Sequence, residues 1–272
     1  MSRRSSTNPE GLAMFDSHCH LTDSQYAEDL PAVLKRAKQA GVRILMTAGL
    51  SVPDSSQSVT LASTTADLYC AVGIHPHEAD QFRSSDVQSL KNLCIEPCVK
   101  AVGEIGLDFF RGYSSRANQE TAFRAQIEMA RMLDMPMIIH IREATTRARQ
   151  ILEEHGYCCG VLHCFSGDRR LADWAVEKGF FISFAGNITY DTALPEVARA
   201  IPLDRLMVET DSPYQVPVPE RGKTRRCEPS LIRLTVSFLA RTLGLSEHEV
   251  ARATLNNACR CFRIAGEDVP AG

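Results

Sequence analysis

Residues Pro136 to Cys164 read PMIIHIREATTRARQILEEHGYCCGVLHC. An apolar run, Pro136–Ile141, leads into a segment with helical spacing, Ala144–His155. A glycine, Gly156, follows, and then a second apolar run, Gly160–Cys164. Continuous apolar runs, rather than alternating ones, mark strands buried on both faces. A glycine just past the last helical turn is a usual stop. The stretch is a strand–helix–strand unit.

The same pattern extends in both directions. Met14–His18, Val42–Ala48, Leu68–Gly73 and Val99–Ile105 precede the unit; Phe180–Ala185 and Leu206–Thr210 follow it. Helical patterns lie between them at Leu30–Ala40, Asp86–Leu93, Gln119–Leu133, Arg169–Lys178 and Thr192–Ala200, with Gly41 and Gly179 as further stops. Eight strand–helix alternations in 272 residues predict an α/β fold, a (β/α)8 TIM barrel. An open doubly wound sheet is the runner-up, but it calls for a Gly-rich loop after the first strand, and none is present. After the eighth strand come a polar loop, Ser212–Glu228, a helix from about Pro229 to Leu243 and a shorter one from about Glu247 to Leu255. One domain over residues 13–263 is expected, between a flexible N-terminal segment, 1–12, and a flexible tail, 264–272.

Composition excludes several classes. With 44% hydrophobic and 23% charged residues the chain can bury a large core and is not intrinsically disordered. A net charge of −3 is wrong for a protein that coats nucleic acid, so any such contact needs a local positive patch. No apolar run approaches the roughly 18 residues of a membrane helix, and Met1–Gly11 lacks a secretory apolar core. The ten cysteines contain no C-x-x-C pair and read as reduced thiols. An intracellular protein, of nucleus or cytoplasm, with no membrane partner and monomeric, is the expectation.

Polar residues fall at telling places on this strand map. Strand 1 ends in Asp16-Ser17-His18-Cys19-His20, strand 3 runs into His75, and strand 4 carries Glu104. Strands 5 and 6 end at His140 and His163, and Asp211 follows strand 8. The C-terminal ends of barrel strands share one mouth, where barrel enzymes place their sites. His18 and His20, two apart on a strand, point the same way, with Asp16 just below them. Imidazoles and carboxylates are the usual ligands of Zn²⁺, Mn²⁺, Fe²⁺ or Co²⁺. Four histidines and two carboxylates are too many for one ion with an open position; they suit two divalent ions sharing one carboxylate. The comparison set is small: His155 and His248 sit in helical segments, and His77 lies in a loop after His75.

The motifs D-S-H-C-H (Asp16–His20), G-I-H-P-H (Gly73–His77) and G-E-I-G-L-D-F (Gly103–Phe109) resemble those of the TatD deoxyribonucleases. P-M-I-I-H-I-R (Pro136–Arg142), H-C-F-S-G (His163–Gly167), E-T-D-S-P-Y (Glu209–Tyr214) and R-x-E-P (Arg226–Pro229) continue the likeness, in the family's order, over about residues 13 to 263. The resemblance implies a barrel of the metal-dependent hydrolase superfamily with 3′-to-5′ exonuclease action on DNA and abasic-site (AP) endonuclease activity. It implies that His18, His20 and Asp211 hold one ion, that His140 and His163 hold the second, and that Glu104 bridges them. His75 matches a histidine that binds or polarises phosphate. Two departures leave substrate preference open. Ile141-Arg142-Glu143 stands where S-R-D is common, and Cys227 where Asn is common before the E-P pair.

The expected chemistry is phosphodiester hydrolysis by water activated at two divalent metal ions, Mg²⁺, Mn²⁺ or Zn²⁺. Asp211, Glu104 and His75 are the expected catalytic residues, with Asp211 both a ligand and the group that orients or deprotonates the water. Single-stranded 3′ ends and abasic duplex DNA are the expected partners. Substrate contacts are expected from His75, Asp108, Arg111, Arg142, Phe165 and Arg226, with Phe109, Phe110, Tyr113 and Tyr214 as further stacking aromatics. A small-molecule amidohydrolase or lactonase on the same barrel is the nearest alternative. Amidohydrolases with two metals often bridge them with a carbamylated lysine, whereas strand 4 here carries Glu104, with Lys100 only at its start. A metal-binding scaffold that has lost catalysis is the third reading; the presence of all six ligands argues against it.

Overall fold

The computed structural model describes residues 11–265. Eight parallel strands run in sequence order: β1 (Met14–Cys19), β2 (Val42–Ala48), β3 (Leu68–Val72), β4 (Val99–Asp108), β5 (Met137–Arg142), β6 (Gly160–Leu162), β7 (Phe181–Phe184) and β8 (Leu206–Val208). The ring closes between the first and last strands, where Asp211 N–H donates to His18 O at 3.0 Å and His20 N–H to Ser212 O at 2.7 Å. This is the TIM barrel that the alternation predicts.

The helices are α1 (Leu30–Ala40), α2 (Val52–Thr64), α3 (Ser84–Leu93), α4 (Arg116–Leu133), α5 (Thr145–His155), α6 (Arg169–Lys178), α7 (Leu194–Ala200), α8 (Ile232–Leu243) and α9 (Glu247–Phe262). Gly41, Gly156 and Gly179, read as stops, are all left-handed just past helices, with φ of 96°, 62° and 93°. The sequence reading named no helix between β2 and β3. The α2 segment, VPDSSQSVTLAST, carries too few large apolar residues to show a helical stripe. Its ends do carry signals: Ser51 Oγ accepts from Asp54 N–H, and a proline sits in the first turn.

Side chains from all eight strands fill the barrel's interior, among them Phe15, Met46, Ala71, Ala101, Ile138, Val161, Phe181 and Met207. Helix α9 supports this core. Its Ser246–Glu249 capping box starts the helix, and Phe262 packs on Phe15 with ring centroids 5.9 Å apart. This packing carries α9 beyond Leu255, where the sequence pattern fades. Burying Phe262 contributes about 1.5–3 kcal/mol. A second, larger cluster lies between the barrel and its helices.

Leu12 and Ile264, assigned by sequence to the loose ends, are buried (1% and 5% exposed). Gly11 and Ala265 are exposed, and the remainder of those expected loose segments, 1–10 and 266–272, lies outside the described residues. All ten cysteines are free. Among the described residues no helix is long and apolar enough to cross a membrane.

Candidate metal centre

The mouth gathers the predicted groups. His18 lies on β1 and His20 just beyond it; His75 lies three residues past β3; Glu104 and His140 lie on β4 and β5. His163 follows β6 directly, and Asp211 lies three residues past β8. Glu104 is at the centre. Its Oε1 stands 2.8 Å from His163 Nε2, 2.9 Å from His140 Nδ1 and 3.2 Å from His75 Nε2. Its Oε2 stands 3.2 Å from His18 Nε2 and 3.4 Å from His20 Nε2. Asp211 Oδ1 is 3.6 and 3.5 Å from the same two nitrogens. Three overlapping triads, His18–His163–Asp211, His18–His20–Glu104 and His75–Glu104–His140, each bring ligand atoms within 4.8 Å of one another.

Local structure holds these groups in place. Gly106, between Glu104 and Asp108, has φ of 144°, and a Cβ there would meet His140 O at 2.0 Å. Only glycine lets β4 approach β5 so closely. Asp211 itself is left-handed, at φ of 51°, an uncommon conformation for a non-glycine residue. Asp16 anchors the residue before it: its carboxylate accepts from Thr210 N–H at 2.8 Å and Thr210 Oγ1 at 2.5 Å.

Each imidazole has two nitrogens, and the partner of one decides what the other can do. Facing the carbonyl of Ala48 at 3.2 Å, His20 Nδ1 must carry the proton, which leaves the Nε2 lone pair to the cluster. His163 Nδ1 faces Glu209 Oε1 at 3.2 Å, with the same result. His140 is turned round: Nε2 faces Asp108 Oδ2 at 3.2 Å and Nδ1 faces the cluster, 2.9 Å from Glu104 Oε1. His75 differs in kind. Its Nδ1 accepts the backbone N–H of His77 at 3.1 Å, so Nε2 bears the proton and is a donor, not a ligand. His18 Nδ1 and Glu104 Oε2 are buried without a hydrogen-bond partner.

Nitrogen lone pairs and carboxylate oxygens facing across 2.8–3.6 Å repel unless protons or cations stand between them. This donor set fits divalent ions. Without a metal, protons take that role. Burial alone would raise Glu104, but His163, His75 and His18 outweigh it and hold the carboxyl well below its usual range. Burial works against a charge on His20, yet the Asp211 hydrogen bond and Glu104 push it up to about 9. His163 also rises, against burial, through Glu104 and Glu209. His75 goes the other way, pushed down to about 4 by burial. It is therefore neutral at pH 7.

The expected substrate contacts separate into two groups. Arg111 is exposed, and Arg142 stacks on the half-exposed Phe110 ring with Cζ 4.2 Å from its centre. Tyr113 and Tyr214 are exposed beside the cluster. Three others are committed elsewhere. Asp108 is buried, accepting from Phe110 N–H and Arg111 N–H as well as facing His77 and His140. Its place is behind His140, not at the open face. Phe165 is buried against Phe184 and belongs to the core. Arg226 binds Asp29 at 2.5 Å, Glu228 at 3.0 Å and the carbonyl of Gln25, over the Tyr26 ring. It ties the loop after β8 to the start of α1. Sequence reasoning did not single out Glu209, which orients His163 and accepts from Cys164 N–H at 2.7 Å. A carboxylate inside the apolar run LMVET was the available signal, since a buried charge requires partners.

The profile of the TatD related DNase family matches residues 15–263. The chain belongs to this family. Membership makes it a hydrolase acting on ester bonds. A relative in Bacillus subtilis, the metal-dependent hydrolase YabD, is 36% identical over 92% of this chain and 99% of its own. The 3′-5′ ssDNA/RNA exonuclease TatD of Edwardsiella piscicida is 35% identical over 93% of this chain and 100% of its own. The solved structure of YJJV, a TatD homologue from Escherichia coli, has a TM-score of 0.87 at 29% identity, covering 93% of this chain and 98% of that one. The TatD-family hydrolase of Entamoeba histolytica shares the fold, with a TM-score of 0.85 at 24% identity over 92% of this chain and 98% of its own.

Proposed function

We propose that this TatD-family hydrolase is a deoxyribonuclease that cuts DNA phosphodiester bonds, working from single-stranded 3′ ends and incising at abasic sites, with two divalent ions. The observation that carries the reading is the set of anchored imidazoles. His20, His163 and His140 each have one nitrogen fixed by an oxygen acceptor and the other aimed at the cluster around Glu104. The exonuclease activity in the names of relatives at 35–36% identity supports the nucleic-acid substrate. Free thiols fit a reducing, intracellular setting.

His18, His20 and Asp211 would hold one ion, His140 and His163 the other, with Glu104 shared. Such ions supply a Lewis acid for the phosphoryl oxygens and the departing alkoxide, and an activated water. Asp211, held ionised because His20, His163 and His18 outweigh its burial, accepts a hydrogen bond from the attacking water and orients it. Neutral His75 donates its Nε2 proton in a hydrogen bond to a phosphate oxygen. Arg111 and Arg142 neutralise flanking phosphates. Lys100 does not face the cluster; its Nζ sits 5.3 Å from the centre of the Tyr69 ring. That argues against a lysine-bridged amidohydrolase centre.

The test is hydrolysis of end-labelled single strands, abasic duplex and a lactone and amide panel, in Mg²⁺, Mn²⁺ and Zn²⁺. Stepwise shortening from the 3′ end is expected, and efficiency below saturation should fall steeply with salt. Turnover of a lactone or amide without DNA cleavage would overturn the proposal.

A further inference from the structure

In a closed ring of eight, β4 and β8 stand opposite each other. The loop after each carries an exposed tyrosine beside the histidine cluster. Tyr113, after β4, is 64% exposed, its ring centroid 4.8 Å from that of His77 and at 78° to it. Tyr214, after β8, is 49% exposed, 6.1 Å from the His20 ring and at 66°. Both loops are braced to the site. Asp108 accepts Phe110 N–H at 3.0 Å and Arg111 N–H at 2.8 Å, and Gln119 Nε2 donates to the carbonyls of Asp108 and Ser114. Tyr214 N–H donates to Asp211 O at 2.9 Å, and its hydroxyl lies 3.2 Å from Asp23 Oδ2. Cationic side chains sit over other rings of the same mouth: Arg142 and Arg111 lie 4.2 and 5.7 Å from the centre of the Phe110 ring, and Arg221 lies 3.7 Å from that of Tyr190.

Rings held half out of water by their own backbone are prepared to meet another apolar face. A base offers that face only when it has left the helix. We propose that Tyr113 and Tyr214 form a two-sided clamp, each stacking one unpaired base, one on either side of the phosphodiester above Glu104. The inference rests on the nuclease reading and deepens it: the clamp, not the metal ligands, selects a single strand. Stacking of this kind is sequence-tolerant, because every base has a π face.

The experiment compares the wild type with Tyr113→Ala, Tyr214→Ala, the double variant and the two Phe variants, all in Mn²⁺. Substrates are an end-labelled oligothymidylate and a chain of the same length built from tetrahydrofuran abasic residues, a phosphodiester without bases or any other aromatic ring. Each Ala substitution should raise KM for the oligonucleotide about tenfold, and the two together more steeply. The ratio of kcat/KM for the oligonucleotide to that for the base-free diester should fall accordingly. Phe variants, which keep the ring, should retain the wild-type ratio. If both substrates lose efficiency in proportion, or the ratio does not move, the clamp is wrong while the nuclease reading stands. A wild type that cleaves neither substrate overturns both.

Discussion

Oδ2 of Asp108 lies 3.2 Å from Nε2 of His140, so that ring presents Nδ1 to Glu104. The same oxygen stands 2.8 Å from Nε2 of His77. Asp108 thus acts through a ligand. Asp108→Asn keeps the shape but loses the charge that fixes the tautomer. Metal affinity, read by titration calorimetry, should fall about 10- to 100-fold, with activity returning in excess Mn²⁺. Unchanged affinity would show that Asp108 does not orient His140.

Glu104 is reached by five imidazoles. Glu104→Ala removes the one group shared by both halves of the site. The purified variant should carry much less metal than the wild type, and DNA cleavage should sit at background even in excess Mn²⁺. Normal metal content with normal activity would end the two-ion reading.

His75 behaves as a donor, because its Nδ1 is already an acceptor. His75→Ala should lower kcat about a hundredfold or more. Its metal content should stay at the wild-type level. Loss of metal in step with activity would instead make His75 a ligand.

Two pH trends should run in opposite directions. Burial lowers the affinity of His20 for a proton, but Asp211 and Glu104 outweigh it and raise the pKa from 6.5 to about 9 in the metal-free protein. The folded chain therefore keeps a proton there that the unfolded chain releases. The associated stability is complete below pH 6.5 and is lost as pH rises through about 9. Metal binding needs neutral His20, so affinity grows across the same window. His75, neutral throughout it, adds nothing to the trend. The melting temperature of the metal-free protein should fall over this range, while the gain on adding Zn²⁺ should increase. A gain that is flat with pH would contradict the role of His20 as a ligand.

Arg226, expected at the substrate, is held by Asp29 and Glu228. Arg226→Ala should lower the urea midpoint only modestly, since Arg36 still pairs with Asp29 at 3.2 Å and with Glu228 at 2.7 Å. KM for DNA should change little. A large rise in KM without loss of stability would return Arg226 to the substrate face.

The sequence made the barrel and the six candidate ligands legible for one reason. Buried strands write continuous apolar runs, and polar residues interrupting those runs at their C-terminal ends stand out. Helix α2 was hidden because its residues are mostly small and hydroxylated and leave no apolar stripe. The reassignment of Asp108, Phe165 and Arg226 was also out of reach. Whether a carboxylate, ring or guanidinium meets solvent or a neighbour depends on partners as distant as Phe184 for Phe165 and Asp29 for Arg226. Glu209 was visible as an anomaly, but the ring it steadies lies 46 positions away.

The seam between β1 and β8 has a temporal meaning. His18 and His20 are synthesised long before the groups that complete their site, since Asp211 and the Asp16–Thr210 tie beside it arrive only after the last strand has been made. A partly synthesised chain consequently has no assembled cutting centre. An enzyme of this design gains its centre only once β8 and the residues just after it have been made.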